Sequence, residues 1–329
     1  MSDSHIIEVE HLVKSYHDLV AVNDVSFSVD QGEVFGLLGP NGAGKTTVIN
    51  ILCTLSKPTS GKALINGFDA VRQQSQVRQC IGLVFQDPSL DERLTALENL
   101  EFHSRVYNIP ASVGMERIEQ VLRMVELWER RRDVVKTFSG GMKRRLEIAR
   151  GLIHRPKVLF LDEPTLGLDP QTRHRLWDFI LGLRKTEGTT VFLTTHYMDE
   201  AEYANRIAVM DYGKIIALDN PRGLKSMVGG DMITLSTVDN QRAQAELQER
   251  YHIQARRDGE QLTFDIANGE RFIPALIKGL DTEILSISLR RPTLDDVFLK
   301  LTGHQLRDEM VRSELKEMVR RFGRHQRRR

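Results

Sequence analysis

Only two cysteines, Cys53 and Cys80, occur in 329 residues, too few for the disulfide framework of a small secreted domain. Their segments read as a buried helix and the approach to a strand, so both are expected as reduced thiols. Net charge is almost lacking. Lys+Arg 46 against Asp+Glu 45 leaves +1, and no global field directs the chain to nucleic acid or an acidic surface. Any electrostatic partner has to be local. No apolar run reaches the roughly 18 residues that a membrane helix needs, and the opening MSDSHIIEVEH has neither a basic n-region nor an apolar h-region. The expectation is a soluble chain without a leader. What is present is 40% hydrophobic residues over a length greater than one compact domain, enough for two cores.

The strongest local signal is EVFGLLGPNGAGKTTVINIL. An apolar strand (Val34, Phe35, Leu37, Leu38) meets a glycine-rich turn and then a helix, and Gly39, Gly44, Lys45 and Thr46 satisfy G-x-x-x-x-G-K-[ST]. Each residue type has a physical reason. Gly39, Gly42 and Gly44 let backbone N–H groups curl around phosphates without a Cβ in the way, and the helix start adds partial positive charge. The cradle Gly39, Pro40, Asn41, Gly42, Ala43, Gly44, Lys45, Thr46 and Thr47 is therefore expected to bind ATP. Lys45 would bridge the β- and γ-phosphates and the Thr46 hydroxyl would ligate Mg²⁺.

A partner for that loop lies in KVLFLDEP, four apolar residues (Val158 to Leu161) ending in Asp162 and Glu163. A carboxylate at the end of a buried strand is placed to hold the metal, which makes Asp162 the second Mg²⁺ ligand. Glu163, one residue on and on the opposite pleat, is expected to polarise the attacking water. The bland alternative is an acidic pair capping a helix before Pro164.

A second helix start, Ser139-Gly140-Gly141 in FSGGMKRRLEIARGL, also offers free N–H groups to an anion, yet it has no lysine or metal ligand of its own. The chain as far as residue 228 resembles the ATP-binding subunits of ABC transporters, with the motifs in order. That resemblance implies an α/β P-loop NTPase with a RecA-like core, an antiparallel β subdomain and a helical subdomain at about 88–157. It also implies that Ser139, Gly140, Gly141 and Met142, with Asp169 of LGLDP, contact ATP held by a second copy in a head-to-tail dimer around two ATP. The same likeness makes Tyr16 the adenine-stacking aromatic, Gln86 the Q-loop glutamine that contacts Mg²⁺ and the attacking water, and His196 the switch histidine on the γ-phosphate. Phe138 and Met142 depart from the common Leu and Gln or Glu of this signature. FSGGM followed by KRRL instead resembles the daunorubicin-resistance-like branch of exporters, and two copies bearing Glu163 and His196 would make two competent sites.

Between Gln86 and Ser139 the apolar residues Leu97, Leu100, Ile118, Val121, Leu122 and Val125 recur at helical spacing. By the same resemblance this is the helical subdomain that receives a membrane permease subunit, with Pro88 and Pro110 at its start and at an internal break. A hairpin, RIAVMDYGKIIALD, is expected next, then a boundary at the Gly-Gly of LKSMVGGDM near 229. Residues 229–303 read as β-α-β-β-α-β, a small α+β ferredoxin-like domain, and its close, RRPTLDDVFLKLTG, resembles the end of the daunorubicin-type ATPases. There an accessory domain steadies the dimer.

Residues 304–329 form a basic amphipathic stretch: Val311, Leu315, Met318 and Phe322 on one face, Arg312, Lys316, Arg320 and Arg321 elsewhere, three arginines at the end. The reading as a whole is an ATPase peripheral to the cytoplasmic face of a prokaryotic membrane, powering export of a hydrophobic or amphipathic compound through a separate subunit. The competing class is a soluble ABC ATPase acting on nucleic acid or ribosomes, for which no specific nucleic acid is expected from the charge balance. The stretch could pack on a second copy, lie on an anionic membrane surface or remain a solvated tail. On the membrane reading, where Lys/Arg contribute about 1 kcal/mol each, deleting residues 304–329 is expected to lower the membrane-bound fraction more than the ATPase rate. Flotation of the truncated and full chains on anionic vesicles checks this, and equal binding refutes it.

Overall fold

The computed structural model describes residues 5–86 and 89–303, without the side chains of 185–187. Pro88 and the basic stretch 304–329 lie outside the described residues. What is described divides into two compact units between Asn220 and Pro221.

In the first unit the hairpin of β1 (His5–Tyr16) and β2 (Leu19–Asp30) leads to β3 (Val34–Leu38), the glycine-rich turn and α1 (Lys45–Leu52). Next come β4 (Ser60–Ile65), β5 (Phe68–Asp69), α2 (Gln74–Cys80) and β6 (Ile81–Val84). A helical stretch follows with α3 (Ala96–Val106), α4 (Ala111–Met124) and α5 (Gly140–Leu152). The unit closes with β7 (Val158–Asp162), α6 (Pro170–Glu187), β8 (Thr190–Thr195), the short α7 (Met198–Ala201) and the hairpin of β9 (Arg206–Asp211) and β10 (Lys214–Asp219).

Two sheets result. An antiparallel one has the order β2-β1-β4-β5, and the other runs β10-β9-β3-β8-β7-β6, parallel throughout except for β10 on β9. Every residue of β3, β7 and β8 is buried, as expected of parallel strands covered on both faces, whose sequences are apolar runs without alternation. The register sets Leu38 beside Thr195 and Asp162 beside Thr194. Three strand ends thus open on the same edge, where ligands bind in open parallel sheets. Between the sheets Phe27, Phe35, Phe192 and Phe160 pack ring to ring, with centroids 5.2 Å apart for the first pair and 5.4 Å for Phe35–Phe192 and Phe160–Phe192. Such pairs contribute about 0.5–1.5 kcal/mol each beyond area burial. They fasten the β1–β2 hairpin over the strands that carry the site.

In the helical stretch Leu100, Ile118, Val121, Leu122 and Val125 are buried, as their spacing requires. Thr95 and Glu98 form a capping box at the start of α3, and Pro110 precedes α4. Among the described residues no helix is long and apolar enough to cross a membrane.

The second unit begins with α8 (Pro221–Ser226) and continues as β11 (Asp231–Thr237), α9 (Asn240–Tyr251), β12 (Arg256–Asp258), β13 (Gln261–Ile266), α10 (Gly269–Gly279), β14 (Ile284–Arg290) and α11 (Leu294–Thr302). Its sheet order is β12-β13-β11-β14 with antiparallel neighbours, the ferredoxin-like arrangement expected from the alternation of elements. The helix α9 starts at Asn240 because Asp239 caps it by accepting from the N–H groups of Gln241 and Arg242. Ile233, Leu235, Leu247, Phe264 and Leu276 form its core.

One of the carboxyl groups deep in the first unit titrates far from its usual range. Glu200 of α7 is 1% exposed, accepts from Thr195 Oγ1 at 2.6 Å and from the Thr165 hydroxyl, and has Arg173 Nε 3.9 Å away. Burial pushes its pKa from 4.5 up to about 7, against the pull of the Thr195 hydroxyl and Arg173. Between those values the folded chain holds a proton that the unfolded chain has released. This group's contribution is present in full below about pH 4.5 and lost as pH rises through about 7. Glu200→Gln removes that dependence. Melting temperatures at about pH 5 and about pH 8 should show the wild type falling relative to the variant as pH rises; parallel curves would refute it.

Candidate nucleotide site

At the end of β3 the chain turns through positions where only glycine fits. A Cβ on Gly39 would lie 2.2 Å from the Met210 carbonyl oxygen, and one on Gly44, at φ 104°, 2.3 Å from that of Ala21. Gly44 is also the N-cap of α1, and no side chain caps that helix nor does any acidic residue occupy its first turn. Its leading N–H groups are left to an anion.

Lys45 is 4% exposed. Its ammonium donates to the carbonyls of Gly39 at 2.7 Å and Pro40 at 3.0 Å and lies 3.6 Å from Glu163 Oε1. Burial lowers its pKa, while Glu163 and Asp162 work the other way. Asp162 accepts from Thr194 Oγ1 at 2.5 Å and from Thr46 Oγ1 at 3.4 Å. Its pKa is raised by burial, with Thr194 opposing and Glu163 adding to the rise.

Glu163 is not on the opposite pleat. It lies beyond the end of β7 in the left-handed region, φ 46°, with its N–H held by the Thr194 carbonyl at 3.2 Å and hydroxyl at 3.1 Å. That turn, rather than strand alternation, carries its carboxylate back between Lys45 and His196, whose Nδ1 is 3.2 Å from Oε1. Burial alone would raise the Glu163 pKa; His196 and Lys45 outweigh it and hold the group below its usual value. His196 is 3% exposed; its Nδ1 faces Glu163 Oε1, and its Nε2 has no hydrogen-bond partner among the described residues.

Tyr16, Asn41, Gly42, Thr47 and Gln86 line a cavity of about 510 Å³ with Lys45, Thr46 and Glu163. Tyr16 is half exposed, and Lys14 Nζ sits 4.7 Å from its ring centre. Pro40 and Ala43 shape the turn by a hydrogen bond of 3.2 Å from the Ala43 N–H to the Pro40 carbonyl. A wider cleft of about 900 Å³ in the second unit is lined by Gln241, Gln244 and Gln248 among others, without the convergence of charges found here. Thr46 Oγ1 and the Asp162 carboxylate are hard oxygen donors facing one another. They fit Mg²⁺, which takes few protein carboxylates and fills its shell with water and substrate phosphate; among the described residues no group of three His, Cys, Asp or Glu is placed to hold a metal ion by itself.

Ser139 to Met142 and Asp169 do not line this cavity. Ser139 caps α5 by accepting from the Met142 N–H at 3.3 Å, and Asp169 caps α6 by accepting from Gln171 and Thr172 at 3.1 and 3.0 Å. Ser139, Gly140 and Asp169 are exposed. A Cβ on Gly141 would meet Thr172 Cγ2 at 2.3 Å, so the starts of α5 and α6 lie side by side. Thr194, which grips both Asp162 and Glu163, escapes motif reading because a buried strand threonine carries no pattern. Arg144 escapes it for the opposite reason: charge on a helix reads as a solvated face.

A family model for ABC transporters matches residues 22–166, and one for the C-terminal domain of DrrA1-3-like ATP-binding proteins matches 220–302. The daunorubicin resistance ATP-binding protein DrrA2 of Streptomyces coeruleorubidus is 40% identical over 92% of this chain and 97% of its own length. The linearmycin resistance ATP-binding protein LnrL of Bacillus subtilis (strain 168) is 38% identical over 92% of this chain and all 100% of its own. Among solved structures, the dimeric ATP-binding cassette MJ0796 in a post-hydrolysis state with ADP and Pi is similar at a TM-score of 0.59 and 28% identity, over 65% of this chain and 98% of that one. With an ATP-binding cassette followed by that C-terminal domain, the chain is an ABC transporter ATPase and belongs to the family of the daunorubicin-resistance (DrrA) ATP-binding proteins.

Proposed function

We propose that two copies of this chain close head-to-tail around two ATP and drive export of a hydrophobic or amphipathic compound through a separate polytopic subunit at the cytoplasmic face of the membrane. The observation that carries this is the convergence of Lys45, Thr46 and Glu163 on one cavity, with Asp162 against Thr46 and His196 against Glu163, and with a second anion-ready helix start, at Ser139, exposed outside it. Half a phosphate site facing solvent is of use to another copy's nucleotide. The names of the two relatives, resistance proteins to daunorubicin and to linearmycin, support cargo of that chemical kind.

In this reading the backbone from Gly39 to Thr47 orients the phosphates, and Lys45 exchanges its carbonyl partners for phosphate oxygens. Thr46, Asp162 and Gln86 would hold Mg²⁺, which would supply positive charge against the phosphates. Glu163, kept ionised by Lys45 and His196, accepts a proton from the attacking water. His196, with an unpartnered nitrogen in a dry site, donates to the γ-phosphate, and Tyr16 stacks on adenine. Ser139, Gly140, Gly141, Met142 and Asp169 serve the partner's ATP. Loss of the γ-phosphate then removes the contacts that favour closure. Phe102 and Val106, exposed on α3, would supply an apolar surface for the membrane subunit.

Glu163→Gln should keep ATP affinity, accumulate a dimer on ATP addition and turn over about 10²- to 10⁴-fold more slowly. Lys45→Ala, which leaves Glu163 and Asp162 without their cation, should abolish nucleotide binding. Size-exclusion chromatography with ATP and a phosphate-release assay read both. Full turnover by the glutamine variant would falsify the assignment of the base. Gentle solubilisation of membranes containing the tagged chain should yield a polytopic protein in stoichiometric amount; ribosomes or DNA-bound proteins in its place overturn the exporter.

A further inference from the structure

The helix that begins at Ser139 carries three buried charges at successive turns, Arg144, Glu147 and Arg150, exposed by 7%, 0% and 6%. Charges so deep persist only with full sets of partners, and the partners here are informative. Arg144 Nε donates to the Pro164 carbonyl at 2.7 Å, and Nη2 donates to those of Asp162 at 3.0 Å and Glu163 at 3.3 Å. Its Nη1 donates to the Phe85 carbonyl and to Glu147 Oε2, the latter at 3.1 Å. One guanidinium thus binds three successive carbonyls of the turn bearing Asp162 and Glu163, together with the carbonyl immediately before Gln86.

The same helix holds the far side of that second segment. Glu147 Oε1 accepts from the Ser89 N–H at 2.7 Å, while Arg150 donates to the Ser89 carbonyl at 2.8 Å and hydroxyl at 2.6 Å. Gln86 is therefore flanked by two anchors, Phe85 and Ser89, both tied to α5. Glu163 in its turn has a left-handed backbone that a non-glycine residue keeps only when its surroundings over-determine it, and the three carbonyl bonds from Arg144 do so.

We infer that Arg144 is a positioning residue for ATP hydrolysis: it fixes Gln86 and Glu163 at a set separation and ties both to the helix whose first turn is the signature. The inference rests on the roles proposed above for those two residues. A shift of α5 moves the water-activating carboxylate and the Q-loop glutamine together, so a change at the signature or in the helical stretch is felt at the reacting atoms without touching nucleotide. Lysine does not replace arginine in this place. Its three donors leave one nitrogen, whereas the acceptors are spread around a plane that matches the guanidinium fork.

The test is Arg144→Lys in the full chain, with turnover measured against ATP concentration, affinity for a fluorescent ATP analogue, and thermal unfolding. Misplacing a reacting group by a fraction of an ångström to an ångström costs about tenfold to a hundredfold in rate, so kcat should fall by that factor. KM and the analogue's Kd should stay within about threefold, at a temperature where the variant is fully folded. A kcat close to wild type overturns the inference, as does a loss of kcat and affinity in step with loss of folded protein. Glu147→Gln keeps the shape and the carbonyl bonds of Arg144 while removing its counter-charge; it should show a smaller fall in kcat, again at constant KM. Should Arg144→Lys not be recovered folded, that second variant decides alone, and an unchanged kcat refutes. The Glu163→Gln measurement separates the two readings, because a fully active glutamine variant removes the base and leaves the arginine result to stand or fall by itself.

Discussion

The parallel pairing of β3, β7 and β8 is the constraint on which the chemistry depends. Register places Leu38, Asp162 and Thr195 at neighbouring strand ends, and the glycine-rich turn, the acidic turn and His196 all leave from those points. None of the three segments need be long or intrinsically ordered to meet. The strands are buried on both faces and locked from above by the aromatic contacts of Phe27, Phe35, Phe192 and Phe160, so a slip of one residue would send every side chain into the opposite packed layer and break those ring contacts. Precision at the site is inherited from the core.

On that frame two adjacent carboxylates are driven in opposite directions. Burial raises Asp162, which is stabilised by threonine hydroxyls more than by charge, whereas His196 and Lys45 lower Glu163. Neighbouring acids with environments that push them apart are the usual sign of divided labour in a catalytic pair. The opposite shifts of Asp162 and Glu163 accompany a single backbone feature. The left-handed residue at 163 turns one carboxylate toward Lys45 and leaves the other under Thr46 and Thr194. A regular strand would have sent both toward different layers of the molecule.

Much of this was legible in the sequence, for reasons that differ by segment. The phosphate cradle is a short-range pattern in which spacing determines geometry, and the acid pair is recognisable at the end of its apolar run, although strand alternation misplaces Glu163. The alternation of elements after residue 229 is likewise local, and a β-α-β-β-α-β string has few compact solutions. What escaped was set by partners far along the chain. Glu163 reaches its position through Thr194, Arg144 is buried by Phe85 and Pro164, and Glu200 meets Thr165 and Thr195; none of these pairings leaves a periodic trace. The closing helix α11 does carry a local signal, the capping box of Thr293 and Asp296, which apolar spacing does not weigh. The basic stretch 304–329 lies outside the described residues.

The bonds from Lys45 to the carbonyls of Gly39 and Pro40 give the loop an internal guest. Its ammonium pins the turn from within, so the curved backbone is shaped before any nucleotide reaches it, and little chain ordering is left for association to bear. On the role proposed for Lys45, nucleotide arrival is a swap of oxygen partners at one nitrogen. Departure is the same swap in reverse, and the loop has an alternative set of acceptors ready at every cycle.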